Sequence, residues 1–212
     1  MGKDEEKQGK AIVDEALRSG VKSFVYTSVD RSGDDSLTNP TNVPHFITKY
    51  NIEHYLINKA KGTDMAWTIL RPTAFFDNFT PNFFGRVFTT AWRLSLKGKP
   101  LQLVSTADIG FFGADALMDP DTWKNKQLSI AGDELTYEQM AQIFKDKTGR
   151  NVPETYQFIC SWILYLVKEF GVMFTWFEEK GYGADIQELR KMYPEMKDFQ
   201  SWLERESQWM NA

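Results

Sequence analysis

Residues 43–79, VPHFITKYNIEHYLINKAKGTDMAWTILRPTAFFDNF, decide the fold of this chain. Their first half predicts a helix with one face that is polar at its start and apolar further on. That face consists of His45, Lys49, Ile52 and Leu56. An apolar strand at 67–70 follows, and the polar and aromatic residues 73–82, interrupted by Pro81, predict an irregular loop. Open α/β sheets bind ligands beyond the carboxyl ends of their strands, so this loop is predicted to border a ligand-binding site.

Helices and strands alternate on both sides of these residues. An acid-rich first turn and apolar residues at helical spacing predict a helix that stops at Gly20. The segment 23–29, SFVYTSV, is apolar on both faces, which predicts a parallel strand buried between helix layers. Further helices are predicted at 84–96, 108–117 and 136–147, and further strands at 101–105 and 127–132. The alternation favours an α/β fold at 1–150, and the aromatic residues 151–212 predict a helical C-terminal subdomain.

Composition excludes several classes of protein. The 212 residues carry a net charge of −4 without a basic stripe, so no nucleic-acid partner is expected. The most apolar run, 158–167, is shorter than the roughly 20 residues that span a bilayer, so we expect a packed helix and no membrane partner. Cys160 within this run is expected to be an inert core thiol. The start, MGKDEEKQGK, resembles no signal peptide, so a cytoplasmic protein is expected, with the nucleus as the alternative.

Motifs for phosphate and metal sites are absent from the sequence. Gly181 and Gly183 begin a G-x-G pattern, but Ile186 stands where the third glycine belongs. Two histidines and one cysteine do not suffice for a zinc site, so no metal is expected. No serine lies in a G-x-S-x-G elbow, which disfavours a hydrolase.

Lys49 is unusual because it lies on a buried face near the start of a helix, where burial and the helix dipole both disfavour a cation. It therefore requires a partner, unless its stem packs while its ammonium reaches water. For His45 the alternative to a functional role is that of a hydrogen-bonded residue at a helix start.

Four segments together resemble the NmrA-like family of atypical short-chain dehydrogenases, over about residues 8–152. They are GVKSFVYTSV (20–29), VPHFITKYNIEHYL (43–56), WTILRPTAFFDNF (67–79) and ADIGFFGADALMDPDTWKNKQLSIAGDELTYEQMAQIF (107–144). The resemblance implies a Rossmann-like, doubly wound parallel sheet. The glycine-rich turn and first strands of that fold are not found, so we expect a truncated version that lacks roughly 80 to 90 residues.

The resemblance also implies roles for particular residues. In typical short-chain dehydrogenases a Tyr-x-x-x-Lys pair performs acid/base chemistry and holds the nicotinamide ribose. Here His45 occupies the tyrosine position and is the candidate catalytic residue, while Lys49 keeps the lysine position. The cofactor implied is NADP or NAD, and its candidate contacts are Lys10, Thr27, Ser28, Lys49, Phe75, Phe76, Asp77 and Asn78.

Three functions follow from these residues. The first is a non-catalytic NAD(P)(H)-sensing regulator, as many NmrA-like proteins without the tyrosine are regarded, acting on a regulatory protein partner. The second is an NAD(P)H-dependent reductase of a small carbonyl or quinone, with His45 as proton donor. The third is an interaction module built from the C-terminal helices.

Two expectations follow from the missing segment. The strand 23–29 is expected to present an open edge, which predicts a homodimer, aggregation or a need for a further N-terminal piece. Without a phosphate-binding turn, NADP(H) binding is expected to be very weak or undetectable.

Overall fold

A computed structural model describes residues 2–210, with side chains from residue 4 onward. The helices are α1 (Gly2–Arg18), α2 (Pro44–Ala60), α3 (Phe83–Leu96), α4 (Thr106–Met118), α5 (Pro120–Trp123), α6 (Tyr137–Thr148), α7 (Gln157–Leu166), α8 (Lys168–Glu179), α9 (Ile186–Met192) and α10 (Phe199–Arg205). The strands are β1 (Ser23–Thr27), β2 (Ala66–Pro72), β3 (Ala74–Phe75), β4 (Leu101–Val104), β5 (Lys126–Ile130) and β6 (Asp133–Leu135).

The main sheet is parallel, in the order β1-β2-β5. Successive residues of β2 face opposite helix layers, as the twofold period of a strand requires. Ile69 packs with Val13 of α1 and Leu56 of α2, whereas Leu70 packs with Phe112 of α4 on the other side. This α/β arrangement with helices on both faces confirms the predicted fold class.

Strand β1 is less buried than its sequence predicted. Its first four residues are only partly buried and Thr27 is exposed. The reason is its place at the edge, since β2 is the neighbour with which it pairs within residues 2–210. The expected open edge is therefore present, and its pairing with a second chain stays a prediction.

A second, smaller sheet was not predicted. It has the order β3-β4-β6, with β3 parallel and β6 antiparallel to β4. The predicted strand at 101–105 belongs to this sheet rather than to the main one. Residues 73–82, predicted to be irregular, contain the two-residue strand β3 and a 3₁₀ turn at Phe76–Asn78. A pairing of two residues is too short to leave a periodic signal in the sequence.

The C-terminal helices pack against the first part of the chain. Phe174 of α8 lies with its ring 5.9 Å from that of Phe88 of α3, and Trp176 lies 5.2 Å from Phe46 of α2. These residues share one aromatic core, so packing crosses the predicted boundary near residue 150. The division into a domain and a subdomain stays a prediction.

Helix α7 is packed on one side only, so the expectation of a packed helix was too broad. Cys160 is fully buried, as predicted, whereas Phe158, Trp162 and Tyr165 are largely exposed. Between residues 2 and 210, no single helix is long and apolar enough to cross a membrane. Helices α7 and α8 pass that test of length and composition as a pair, but they are bent by 105° at their junction.

Candidate functional site

A cavity of about 400 Å³ lies at the carboxyl ends of β1 and β2. It is enclosed by the start of α2, the loop after β2 and one face of α8. Six of the sequence-predicted site residues line it together, namely Thr27, Ser28, His45, Lys49, Phe75 and Asn78. The position is the one at which open α/β sheets bind ligands.

The start of α2 explains how two of these residues reach the cavity. Pro44 occupies the first turn, where its fixed backbone angle suits a helix and its missing N–H is not needed. His45 and Lys49 follow one turn apart and point to the same side. Further along α2, Ile52 and Leu56 are buried, so the predicted face, polar first and apolar later, is present.

Lys49 has the partner that its position required. Its Nζ lies 3.0 Å from Oε1 of Glu5 in α1. The other oxygen of Glu5 accepts a 3.3 Å hydrogen bond from the hydroxyl of Thr48. The Lys49 side chain remains 25% exposed, so a ligand in the cavity can compete with Glu5 for the ammonium.

His45 is held by a carboxylate from the C-terminal helices. Its Nδ1 lies 2.7 Å from Oε1 of Glu169 in α8, and both side chains are about one third exposed, at 29% and 34%. A carboxylate accepts hydrogen bonds. In the neutral imidazole, Nδ1 therefore carries the proton and donates a hydrogen bond to Glu169. Within the described part of the chain, Nε2 of His45 makes no hydrogen bond.

A buried ion network lies one turn further along α2. Glu53 Oε2 is 2.9 Å from Nη2 of Arg31 and 2.7 Å from Nη2 of Arg71. Burial raises the pKa of Glu53, but hydrogen bonds from Arg71 and Arg31, together with their charges, outweigh it and hold the pKa below its ordinary value. Arg31 also donates to the carbonyls of Val29 and Asn39, which fixes the loop after β1.

The buried carboxylate of Asp30 fixes the cavity wall on the opposite side. It accepts hydrogen bonds from the backbone N–H of Gly33 and of Gly183, each at 2.9 Å. The two glycines touch: a Cβ on Gly33 would lie 2.3 Å from the carbonyl oxygen of Gly183, and Gly33 has a φ of +61°. Tyr182 precedes Gly183 and is partly buried, and desolvation together with the nearby Asp30 raises the pKa of its hydroxyl.

Three predicted cofactor contacts lie outside the cavity. Lys10 pairs with Glu6 within α1 and lies over the ring of Tyr55. Phe76 is fully buried and packs against other aromatic rings of the core. Asp77 accepts hydrogen bonds from the backbone and hydroxyl of Thr106 at the start of α4, at 3.2 and 3.0 Å.

Several residues of the site were missed by sequence reasoning. They are Glu5, Glu169 and the wall residues Phe46, Phe170, Met173, Phe177 and Tyr182. His45 and Glu169 are separated by 124 residues, and no spacing within one helix relates them. Among residues 2–210, no group of three or more His, Cys, Asp or Glu side chains is arranged to hold a metal ion.

Comparison with known proteins agrees with this architecture. The profile of the NmrA-like family matches residues 1–203. A curated relative from Aspergillus flavus, the NmrA-like family domain-containing oxidoreductase lnbB, is 28% identical over 156 residues, which are 67% of this chain and 46% of the relative. The chain therefore spans about half the length of that curated relative.

Solved structures share the fold. The negative transcriptional regulator NmrA in complex with NAD has a TM-score of 0.65 and 17% identity, covering 96% of this chain and 70% of that chain. Its complex with NADP gives the same values. A nucleoside-diphosphate-sugar epimerase from Staphylococcus aureus has a TM-score of 0.65 and 15% identity, covering 93% and 70%. At such identities the likeness concerns the fold alone, but the profile match confirms the predicted kinship, and this chain belongs to the NmrA-like family.

Proposed function

We propose that this protein is a non-catalytic NAD(P)(H)-sensing regulator whose cavity holds the nicotinamide half of the dinucleotide. The proposal rests on one observation: Lys49, His45 and Asn78 meet in a single cavity at the strand ends. It is supported by the family relationship, because the negative transcriptional regulator NmrA has been solved with NAD and with NADP.

The residues present suit a nicotinamide riboside. The ammonium of Lys49 provides donors for ribose hydroxyls, and the exposed side chains of Thr27 and Asn78 provide hydrogen-bonding groups for the carboxamide. The remaining wall is mostly aromatic and aliphatic, which suits a flat ring.

Residues 2–210 contain no glycine-rich turn of the kind that binds phosphates. Such a turn presents backbone N–H groups at a helix start, and within these residues none follows a strand of the main sheet. Lys10, the other candidate cation, is paired with Glu6 outside the cavity. We therefore propose that this chain binds NADP(H) very weakly and chiefly through the nicotinamide.

Saturation-transfer NMR with NADPH at millimolar concentration tests the proposal. We expect transfer to the nicotinamide protons to exceed transfer to the adenine protons. Lys49→Met is expected to reduce the nicotinamide signal. Lys59→Met is the matched control, because Lys59 lies on the same helix and pairs with Asp14 away from the cavity.

Two results would contradict the proposal. Stronger transfer to adenine than to nicotinamide would place the ligand elsewhere. A low-micromolar dissociation constant in calorimetry would show that the chain binds the phosphates after all.

The second candidate function is an NAD(P)H-dependent reductase of a small carbonyl or quinone. It is favoured by the free Nε2 of His45, which can give a proton to a substrate oxygen when the ring is charged. NADPH oxidation with benzaldehyde and 1,4-benzoquinone separates the two functions. Turnover that is lost in His45→Ala and retained in His54→Ala would favour the enzyme, and absence of turnover would favour the sensor.

A further inference from the structure

A second cavity, of about 630 Å³, adjoins the first. The two share the lining residues His45, Phe170 and Met173, so they meet at these side chains. The second cavity lies between the first turns of α1 and the start of α8. It is therefore the space beside the nicotinamide cavity in which a second ligand would contact His45.

The polar wall of this second cavity is acidic. Asp4, Glu5 and Glu169 line it, and neither lysine nor arginine is found among its described lining residues. An anionic ligand would be repelled by these carboxylates. The opposite wall is apolar and consists of Val167, Phe170 and Met173. A neutral, largely apolar ligand fits this combination.

Glu169 determines what His45 offers to such a ligand. Nδ1–H donates a hydrogen bond to Glu169 over 2.7 Å, so the neutral ring has its lone pair on Nε2. Within the described residues, Nε2 itself makes no hydrogen bond. A ring nitrogen of this kind accepts a hydrogen bond from a hydroxyl group.

We propose that His45, positioned by Glu169, binds the hydroxyl group of a neutral, largely apolar ligand in the cavity between α1 and α8. The proposal deepens the proposed function and rests on it in one respect, since this ligand would lie beside the nicotinamide. Glu169 is a positioning residue, because it acts on the ligand through His45.

The tautomer of His45 in the ligand-free protein provides the first test. Long-range ¹H–¹⁵N NMR is expected to show the proton on Nδ1 in the wild type. Glu169→Gln should keep this tautomer, because its amide oxygen still accepts the bond, and Glu169→Ala should lose it. Glu179→Ala is the matched control, since Glu179 is an exposed glutamate at the other end of α8.

Three related probes provide the second test. Calorimetry is expected to show that 2-naphthol binds about threefold to tenfold more tightly than naphthalene, the range for one neutral hydrogen bond. 2-Naphthoate should bind roughly tenfold more weakly than 2-naphthol, or more weakly still. The preference for 2-naphthol should persist in Glu169→Gln and vanish in Glu169→Ala. The methyl resonance of Met173 should shift on binding, and that of the exposed Met118 should not.

Each opposite result overturns the proposal. A wild-type proton on Nε2, equal affinity for 2-naphthol and naphthalene, or naphthoate binding as tight as naphthol binding would do so. These readouts need no dinucleotide. Failure of NADPH to bind with the naphthol preference intact would therefore count against the proposed function alone.

Discussion

Helix α2 carries two sets of polar side chains that lie only one turn apart and differ in their burial and in the number of their partners. Glu53 is fully buried between Arg31 and Arg71, and its two oxygens receive hydrogen bonds from both guanidinium groups. His45 and Lys49 lie at the cavity, partly exposed, and each has a single carboxylate partner.

The contrast separates structural charges from charges that are available to a ligand. A buried, fully paired network cannot exchange a partner without leaving a charge out of water. A pair at a cavity rim exchanges its partner for a ligand at little cost, because water already screens it. The network at Glu53 therefore holds the loop after β1, which contributes Ser28 and Val29 to the cavity wall. The pairs of His45 with Glu169 and of Lys49 with Glu5 are the groups that a ligand meets.

Removal of Glu53 should produce the largest effect. Glu53→Ala leaves two buried guanidinium groups without their carboxylate, and we expect a loss of about 3–5 kcal/mol in the free energy of unfolding. Urea denaturation measures it. Glu195→Ala is the control, because Glu195 is exposed, and it should change stability by less than about 0.5 kcal/mol. If Glu53→Ala lowered the free energy of unfolding by less than about 1 kcal/mol, the buried network would not be more important for stability than the pairs at the cavity.

Acid should weaken the same network. The pKa of Glu53 is lowered on folding, so its contribution to stability is complete above its ordinary pKa of 4.5 and is lost as pH falls through the lower pKa of the folded state. The difference in stability between wild type and Glu53→Gln should therefore shrink as pH is lowered from neutral to about 3. A difference that is constant or grows on acidification would contradict the assigned direction.

Sequence reasoning reached the parts of this molecule that depend on local periodicity. The face of α2 with His45 and Lys49 was predicted from spacing. A partner for Lys49 was predicted from burial and the helix dipole, with an ammonium that reaches water as the alternative. The start of α6 agrees with the helix predicted from residue 136, and it is a local feature, because Thr136 and Gln139 form a hydrogen-bonded capping box there.

Contacts between distant segments were beyond that reasoning. Glu5 and Glu169 reach α2 from distant segments that lie before and after it in the sequence, and neither has a spacing that indicates its partner. Strand β4 has the composition of any short buried strand, so its place in a second sheet depends on pairing with β3 and β6. Glu53 follows Ile52 on a helix that mixes polar and apolar residues, where nothing local distinguishes a buried acid from an exposed one.

Release of Lys49 should have a moderate effect on binding. Glu5→Gln removes the carboxylate that pairs with Lys49, so the ammonium is free for ribose hydroxyls, and nicotinamide affinity should rise by up to about fivefold. Titration with NADPH monitored by saturation transfer measures the change. Glu15→Gln is the matched control, since it breaks an ion pair with Arg18 on the same helix away from the cavity. Unchanged or weaker binding in Glu5→Gln would mean that Glu5 supports the site rather than competing for it.

Only a small effect on stability is expected for Glu169→Ala, although this variant removes the partner of His45. Both side chains of the pair remain about one third exposed, so water replaces the lost hydrogen bond, and the free energy of unfolding should fall by less than about 1 kcal/mol. Urea denaturation beside Glu53→Ala gives the comparison under identical conditions. If Glu169→Ala lowers the free energy of unfolding as much as Glu53→Ala does, the pair of His45 and Glu169 is part of the structural network. A small cost combined with a changed His45 tautomer would instead mean that α8 contributes Glu169 to ligand recognition more than to the stability of the fold.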